Sequence, residues 1–266
     1  MGESWSEGVK GAEEIVLSDE RIRQYYIEVG VIMKLTTAKL FCRTMALSGV
    51  LIAATFGAPR YAGAASETKD LSVDQILDHI EKRYDHSKFS ADFIQISTIK
   101  AMDITDQATG KVYIKYPGMM RWEYEKPDNQ IIITDADQLW IYRPADNQVM
   151  TGKAPTFFRD GKGASFLSDI RLIRQKFDIS LEQGPPSESD LFYHLKMIPR
   201  EKTLDISEIH LTVSTKTYNV LQITTLNPYG DETRIDLINY AFGVDLDDSL
   251  FSFKIPQGAD VIQIDE

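Results

Sequence analysis

Cysteine is nearly missing from this chain: Cys42 stands alone among 266 residues. One thiol cannot close an intrachain disulfide or build a multi-thiolate zinc site. Basic charge is also scarce. Lys and Arg number 29 against 40 Asp and Glu, a formal net charge of −11, so no surplus exists to neutralise phosphates. That argues against general nucleic-acid binding. Long apolar runs are missing too, apart from "MALSGVLIAATFGA" at 45–58, which is too short and too rich in small residues to read as a membrane span.

That run has another reading. Lys34, Lys39 and Arg43 precede it, and a small-residue site, Ala62-Gly63-Ala64, follows it. Basic, apolar and small segments in that order form a secretory signal peptide over 33–64, cut near Ala65. Export signals are read as the chain emerges, so Met33 is the expected initiator and residues 1–32 an upstream over-extension. Cys42 precedes the apolar segment, whereas a lipid-modified cysteine would follow it. The exported chain, 65–266, is therefore expected to be one soluble domain with neither a disulfide nor a lipid anchor.

Two segments of that domain have helical periodicity. In "LSVDQILDHIEKRYD" (71–85), Ser72 is the expected cap, and Val73, Ile76, Leu77, Ile80 and Tyr84 form an apolar stripe. In "ASFLSDIRLIRQKF" (164–177), Phe166, Leu167, Ile170 and Ile173 form a similar one. Nearly everything else reads as strand. Eleven short stretches, from "ADFIQISTIK" to "TRIDLINY", are rich in β-branched and aromatic residues. Turn signals such as Thr109-Gly110, Pro117-Gly118 and "NPYGD" separate them. The pattern predicts a mainly β protein with an antiparallel meander of about eleven strands. So large a sheet is expected to curl, and two amphipathic helices cannot coat its outside. An incomplete antiparallel barrel with the helices inside it as a plug or lid follows.

Chemistry is hard to find. His79 and His86 share a face at a spacing of seven on the first helix, whereas zinc ligands on one helix stand three or four apart. His194 and His210 fall in separate strands with no carboxylate-rich motif beside them. Gly161-Lys162-Gly163 lacks the spacing of a phosphate loop, and the glycines read better as a hinge. No Gly-x-Ser-x-Gly elbow is present. The reading is a protein that is not an enzyme and that needs no cofactor or metal.

The aromatics are more informative. Trp122 and Tyr124 alternate with Arg121, Glu123 and Glu125, and the pattern recurs as Trp140 and Tyr142 two strands later. Phe93, Ile114 and Tyr116 can take the same inward positions. Periodicity leaves open whether these side chains fill a core or line a ligand cavity, although broad barrels are hard to fill.

At "GKVYIKYPGMMRWEYEKPDNQIIITDADQLWIYRPADNQV" (110–149) the chain resembles the periplasmic outer-membrane lipoprotein carrier family, LolA. The C-terminal "DLDDSLFSFKIPQGADVI" (245–262) is similar to that family's Phe-x-Phe-x-x-Pro-x-Gly-x-x-Val ending, and "SFLSDIRLIRQKFDIS" stands where the family has its second lid helix. The resemblance spans about residues 71–264. It implies a half-barrel whose apolar cavity holds the acyl chains of lipoproteins. It also implies receipt from the inner-membrane transporter LolCDE, delivery to an outer-membrane acceptor LolB where one exists, and a monomeric state. Phe93, Ile114, Tyr116, Trp122, Tyr124, Trp140 and Tyr142 become the expected acyl wall. Ile76, Leu77, Ile80, Phe166, Leu167 and Ile170 become the lid. Where the family often has an Arg that bonds the closed lid, this chain has Tyr116, which lacks the guanidinium's fork and charge. The competing readings are a lipid-binding or lipoprotein-sensing protein of the same barrel type, and a lipid hydrolase.

Overall fold

Alternating apolar and polar residues need a sheet with one covered face, and the register of this chain supplies it. The computed structural model describes residues 71–154, 166–184 and 191–264. The signal peptide, the cleavage near Ala65, residues 1–32 and Gly161-Lys162-Gly163 lie outside the described residues. Helix α1 (Val73–Tyr84) is followed by β1 (Lys88–Ile99), β2 (Ile104–Lys115), β3 (Met119–Lys126), β4 (Gln130–Asp135), β5 (Gln138–Arg143) and β6 (Gln148–Lys153). A short helix α2 (Leu172–Lys176) then leads into β7 (Phe177–Glu182), β8 (Phe192–Pro199), β9 (Glu208–Ser214), β10 (Val220–Leu226) and β11 (Glu232–Phe242). The last strand is β12 (Asp260–Gln263).

All twelve strands form one open sheet in the order β12-β6-β5-β4-β3-β2-β1-β11-β10-β9-β8-β7. Each meander is hairpin-linked and antiparallel, and the β1–β11 pairing joins the two. The eleven expected strands are β1 to β11. The twelfth departs from the antiparallel expectation because β12 pairs parallel to β6. Its four residues are all exposed, so no alternation marked them in the sequence.

Two further expectations need correction. Thr109-Gly110 is not a turn: Gly110 lies inside β2, opposite Phe93 on one side and Tyr124 on the other. A Cβ there would lie 1.9 Å from the Glu123 carbonyl oxygen and 2.9 Å from the Phe93 ring. The glycine marks close packing, not chain reversal. The 164–177 helix is also shorter than expected, with a tight 3-10 turn at 166–167 and regular helix only from Leu172. The Ser168 carbonyl accepts from the Gly118 N–H at 3.0 Å, which takes it out of an i-to-i+4 ladder, and Leu172 and Ile173 bond three residues back instead.

One apolar cluster organises the unit. It joins Ile76, Leu77, Ile80 and Tyr84 of α1 to Phe166, Leu167, Ile170 and Ile173, and both to inward residues of β1–β3 and β7–β11. Helix α1 begins with a reciprocal capping box between Ser72 and Gln75, as Ser72 suggested. Eight strands thus share a cover made of only two short segments.

Candidate functional site

The covered face is built row by row. Residues paired directly across strands share a face, so Phe93, Gly110 and Tyr124 form one row, and Trp122 pairs with Val112 in the next. Gly110 leaves the space in which the Phe93 ring meets both Trp122 and Tyr124 edge-on, each at 4.9 Å between centroids. Phe93 and Ile114 are buried almost completely, and Trp122 retains only 4% exposure. Burial pushes the Tyr124 phenol up to about 12. Against this wall lie the six expected lid residues, Ile76, Leu77, Ile80, Phe166, Leu167 and Ile170, all buried in the same cluster.

Trp140 and Tyr142 are elsewhere. Trp122 pairs with Ile132, and Ile132 pairs with Ile141, so the covered face continues through Ile141 and Leu139. Trp140 and Tyr142 alternate to the opposite face, where both rings meet Phe253 at 6.5 and 5.5 Å. The segment around the 3-10 turn Asp248–Phe251 packs on β3 and β4. Arg121 holds it there, donating from Nη1 to the Leu250 carbonyl at 3.2 Å. The aromatic pair on β5 seats the C-terminal segment and does not share a wall with Trp122.

Tyr116 also lies outside the apolar cluster. It sits below the 166–176 segment, with the Arg171 guanidinium 5.1 Å from its ring centroid and His86 edge-on at 5.0 Å. The cation is on the cover and the aromatic ring in the β2–β3 turn, so the contact is cation–π. Gly118, at φ +76°, adds the backbone bond to Ser168 two residues later.

The two parts of the cover are held by different means. At the end of α1, Tyr84 OH donates to Tyr240, Tyr240 OH donates to the Val220 carbonyl, and the Val220 N–H donates back to Tyr84, at 3.3, 2.6 and 2.9 Å. Tyr84 is 1% exposed, and burial pushes its phenol up to about 12. Arg83 donates to Asn219 and lies over Phe242. By contrast, α2 is held to α1 by a half-exposed ion cluster in which Arg174 meets Asp74, Asp78 and Glu81.

The histidines do not make a metal site. His79 stacks on Tyr218. His86 lies beyond α1, in a turn at φ 52°, and not on the helix face expected from its spacing. His210 does have carboxylates beside it, which spacing along the chain missed: Glu182 lies 2.8 Å from Nδ1 and Glu208 lies 3.2 Å from Nε2. They come from β7 and from two residues earlier on β9, so only sheet pairing brings the three together.

The apolar face of the sheet is filled by the chain's own helices. Residues 85–254 match the family described as "Outer membrane lipoprotein carrier protein LolA". The chain belongs to the LolA family, whose members are carriers and not enzymes. An outer-membrane lipoprotein carrier protein of Chromobacterium violaceum is 30% identical over 220 residues, covering 82% of this chain and 97% of its own. One from Coxiella burnetii is 30% identical over 177 residues, 66% of this chain and 80% of that protein. Among solved structures, a LolA superfamily protein from Nitrosomonas europaea is 12% identical, covers 69% of this chain and 98% of its own, and superposes with a TM-score of 0.39.

Proposed function

We propose that this protein is a periplasmic carrier. In this reading it shields the acyl chains of lipoproteins released from the inner membrane by a LolCDE-type transporter and hands them to the outer membrane, through a LolB-type acceptor where one exists. It works as a monomer after its signal peptide is removed near Ala65. The observation that carries the reading is the shared cluster: the stripes of α1 and of residues 166–173 fill the apolar face of the sheet.

Magnitudes support an exchange. Burying one large aliphatic or aromatic side chain is worth about 2 kcal/mol, so the six lid residues together contribute on the order of 12 kcal/mol. An acyl chain of about sixteen carbons, at about 0.8 kcal/mol per methylene, is worth nearly the same. A two-chain anchor is thus worth about twice the lid it displaces from the same surface, and this differential affinity for the open state drives opening.

Mass spectrometry of the protein isolated from the periplasm tests this directly. Bound polypeptides bearing an S-diacylglyceryl cysteine are expected. A preparation carrying only free phospholipid or fatty acid would favour a lipid-binding or sensing role and contradict the carrier reading.

A further inference from the structure

The covered face changes character along its length, and the change is sharp. On β1 the inward residues Phe89, Ala91 and Phe93 are buried, and the next two, Gln95 and Ser97, are polar and half-buried. The neighbouring strands change at that level or one row beyond it, since Gln95 still pairs with buried Ile235. Gly110 gives way to Ala108 and Asp106 on β2, and Leu237 and Ile235 give way to Thr233 on β11.

The polar groups there form a chain. Tyr124 OH donates to Gln95 Oε1 at 3.0 Å, Gln95 Nε2 donates to Ser97 Oγ at 3.1 Å, and Ser97 lies 3.5 Å from the Thr233 hydroxyl. The chain starts on a ring in the aromatic wall and ends about 13 Å further along the strand, at roughly 3.3 Å per residue. Its hydroxyls rotate, and the Gln95 amide has a second N–H beyond the one given to Ser97, so the chain can still donate. The charged residue paired at its level on this face is Asp106, opposite Ser97. Arg143, on the same face two strands beyond Tyr124, donates to Gln130.

We propose that the Tyr124–Gln95–Ser97–Thr233 chain is a subsite for the neutral, carbonyl-bearing junction of an acylated polypeptide, where its ester and amide groups leave the apolar interior. The inference rests on the carrier reading and adds to it a polar specificity. An ester carbonyl drawn to the edge of an apolar interior loses its water and needs a donor, which this chain supplies without a cation. A free carboxylate would face Asp106 with no positive partner in the chain. The subsite thus selects a linked acyl group over a free fatty acid.

The test compares three probes on the wild type and on two variants, Gln95→Leu and Thr233→Val: an S-diacylglyceryl-cysteine lipopeptide, palmitate, and the apolar dye N-phenyl-1-naphthylamine. The ratio of lipopeptide to dye affinity is expected to fall about tenfold in each variant, as for loss of a partly buried hydrogen bond. The ratio of palmitate to dye affinity is expected to hold. Thermal unfolding identifies a variant that fails to fold, and the other then decides the matter. Unchanged lipopeptide-to-dye ratios, or equal losses for palmitate, would overturn the subsite. A wild-type protein that binds none of the three would overturn the container reading itself.

Discussion

The two faces of this sheet carry the same kinds of side chain and use them differently. On one face, Phe93, Trp122 and Tyr124 lie under a separate cover of helices. On the other, Trp140 and Tyr142 lie under Phe253, carried on the chain's own C-terminal segment and tied down through Arg121. The first cover joins a buried hydrogen-bonded anchor at Tyr84 to a half-exposed ion cluster at Arg174. Aromatic content alone therefore does not identify a binding wall. What distinguishes the first face is a cover whose α2 part adds a half-exposed ion cluster to its buried side chains.

The largest expected effect separates the faces outright. Trp122→Ala should cost about 3–5 kcal/mol and abolish lipopeptide binding, as for other large core truncations. Trp140→Ala should cost about 1–2 kcal/mol, because its ring is half-buried, and leave binding intact. Urea denaturation and a lipopeptide titration on both proteins check this, and loss of binding in Trp140→Ala would break the distinction.

Next comes the anchor. Tyr84→Phe keeps the ring but strips the Val220 N–H of its acceptor, for a loss of about 1–3 kcal/mol in denaturant midpoint measurements. The same group gives a pH signature. Tyr84 and Tyr124 titrate at about 12 in the fold, against an ordinary value of 10.0. The unfolded chain gives up these protons first, so the stability they contribute is full below pH 10 and is lost as pH rises through 12. Between those values the slope is about −1.4 kcal/mol per pH unit for each tyrosine, and Tyr84→Phe should remove one share of it.

Smaller effects belong to the exposed contacts of the 166–176 part of the cover. Arg174→Gln breaks an ion cluster worth about 1 kcal/mol, an amount that added salt should reduce. Stopped-flow dye release should be several-fold faster in this variant, and the unfolding free energy should fall by about the same 1 kcal/mol. Tyr116→Phe keeps the ring under Arg171 and should behave as wild type, whereas Tyr116→Leu should give up about 0.5–1 kcal/mol of closure. Equal release rates in the two Tyr116 variants would show that the ring does not hold the segment.

Much of the fold was legible because alternation and helical stripes are local signals. Each of β1 to β11, though not the first half of β2, and the α1 stripe from Ile76 to Tyr84 follow from them. Which face a strand's aromatics take is not local. Trp122-x-Tyr124 and Trp140-x-Tyr142 look alike in sequence, and only the register through Ile132 puts them on opposite sides. Gly110 was hidden for a similar reason: a glycine that ends a strand and one that admits a ring from the next strand read the same. The cation–π contact at Tyr116 and the Glu182 carboxylate beside His210 join residues tens of positions apart, beyond the reach of any spacing rule, whereas Glu208 stands two residues before His210 on the same strand.

The central claim is that acyl chains occupy the face beneath the helices and not the face beneath the C-terminal segment. A photoreactive phenylalanine analogue placed at position 122 or at position 140, illuminated with a bound S-diacylglyceryl lipopeptide, tests it most directly. The account predicts strong crosslinking from position 122 and background from position 140. Equal yields, or a reversed pattern, would contradict it.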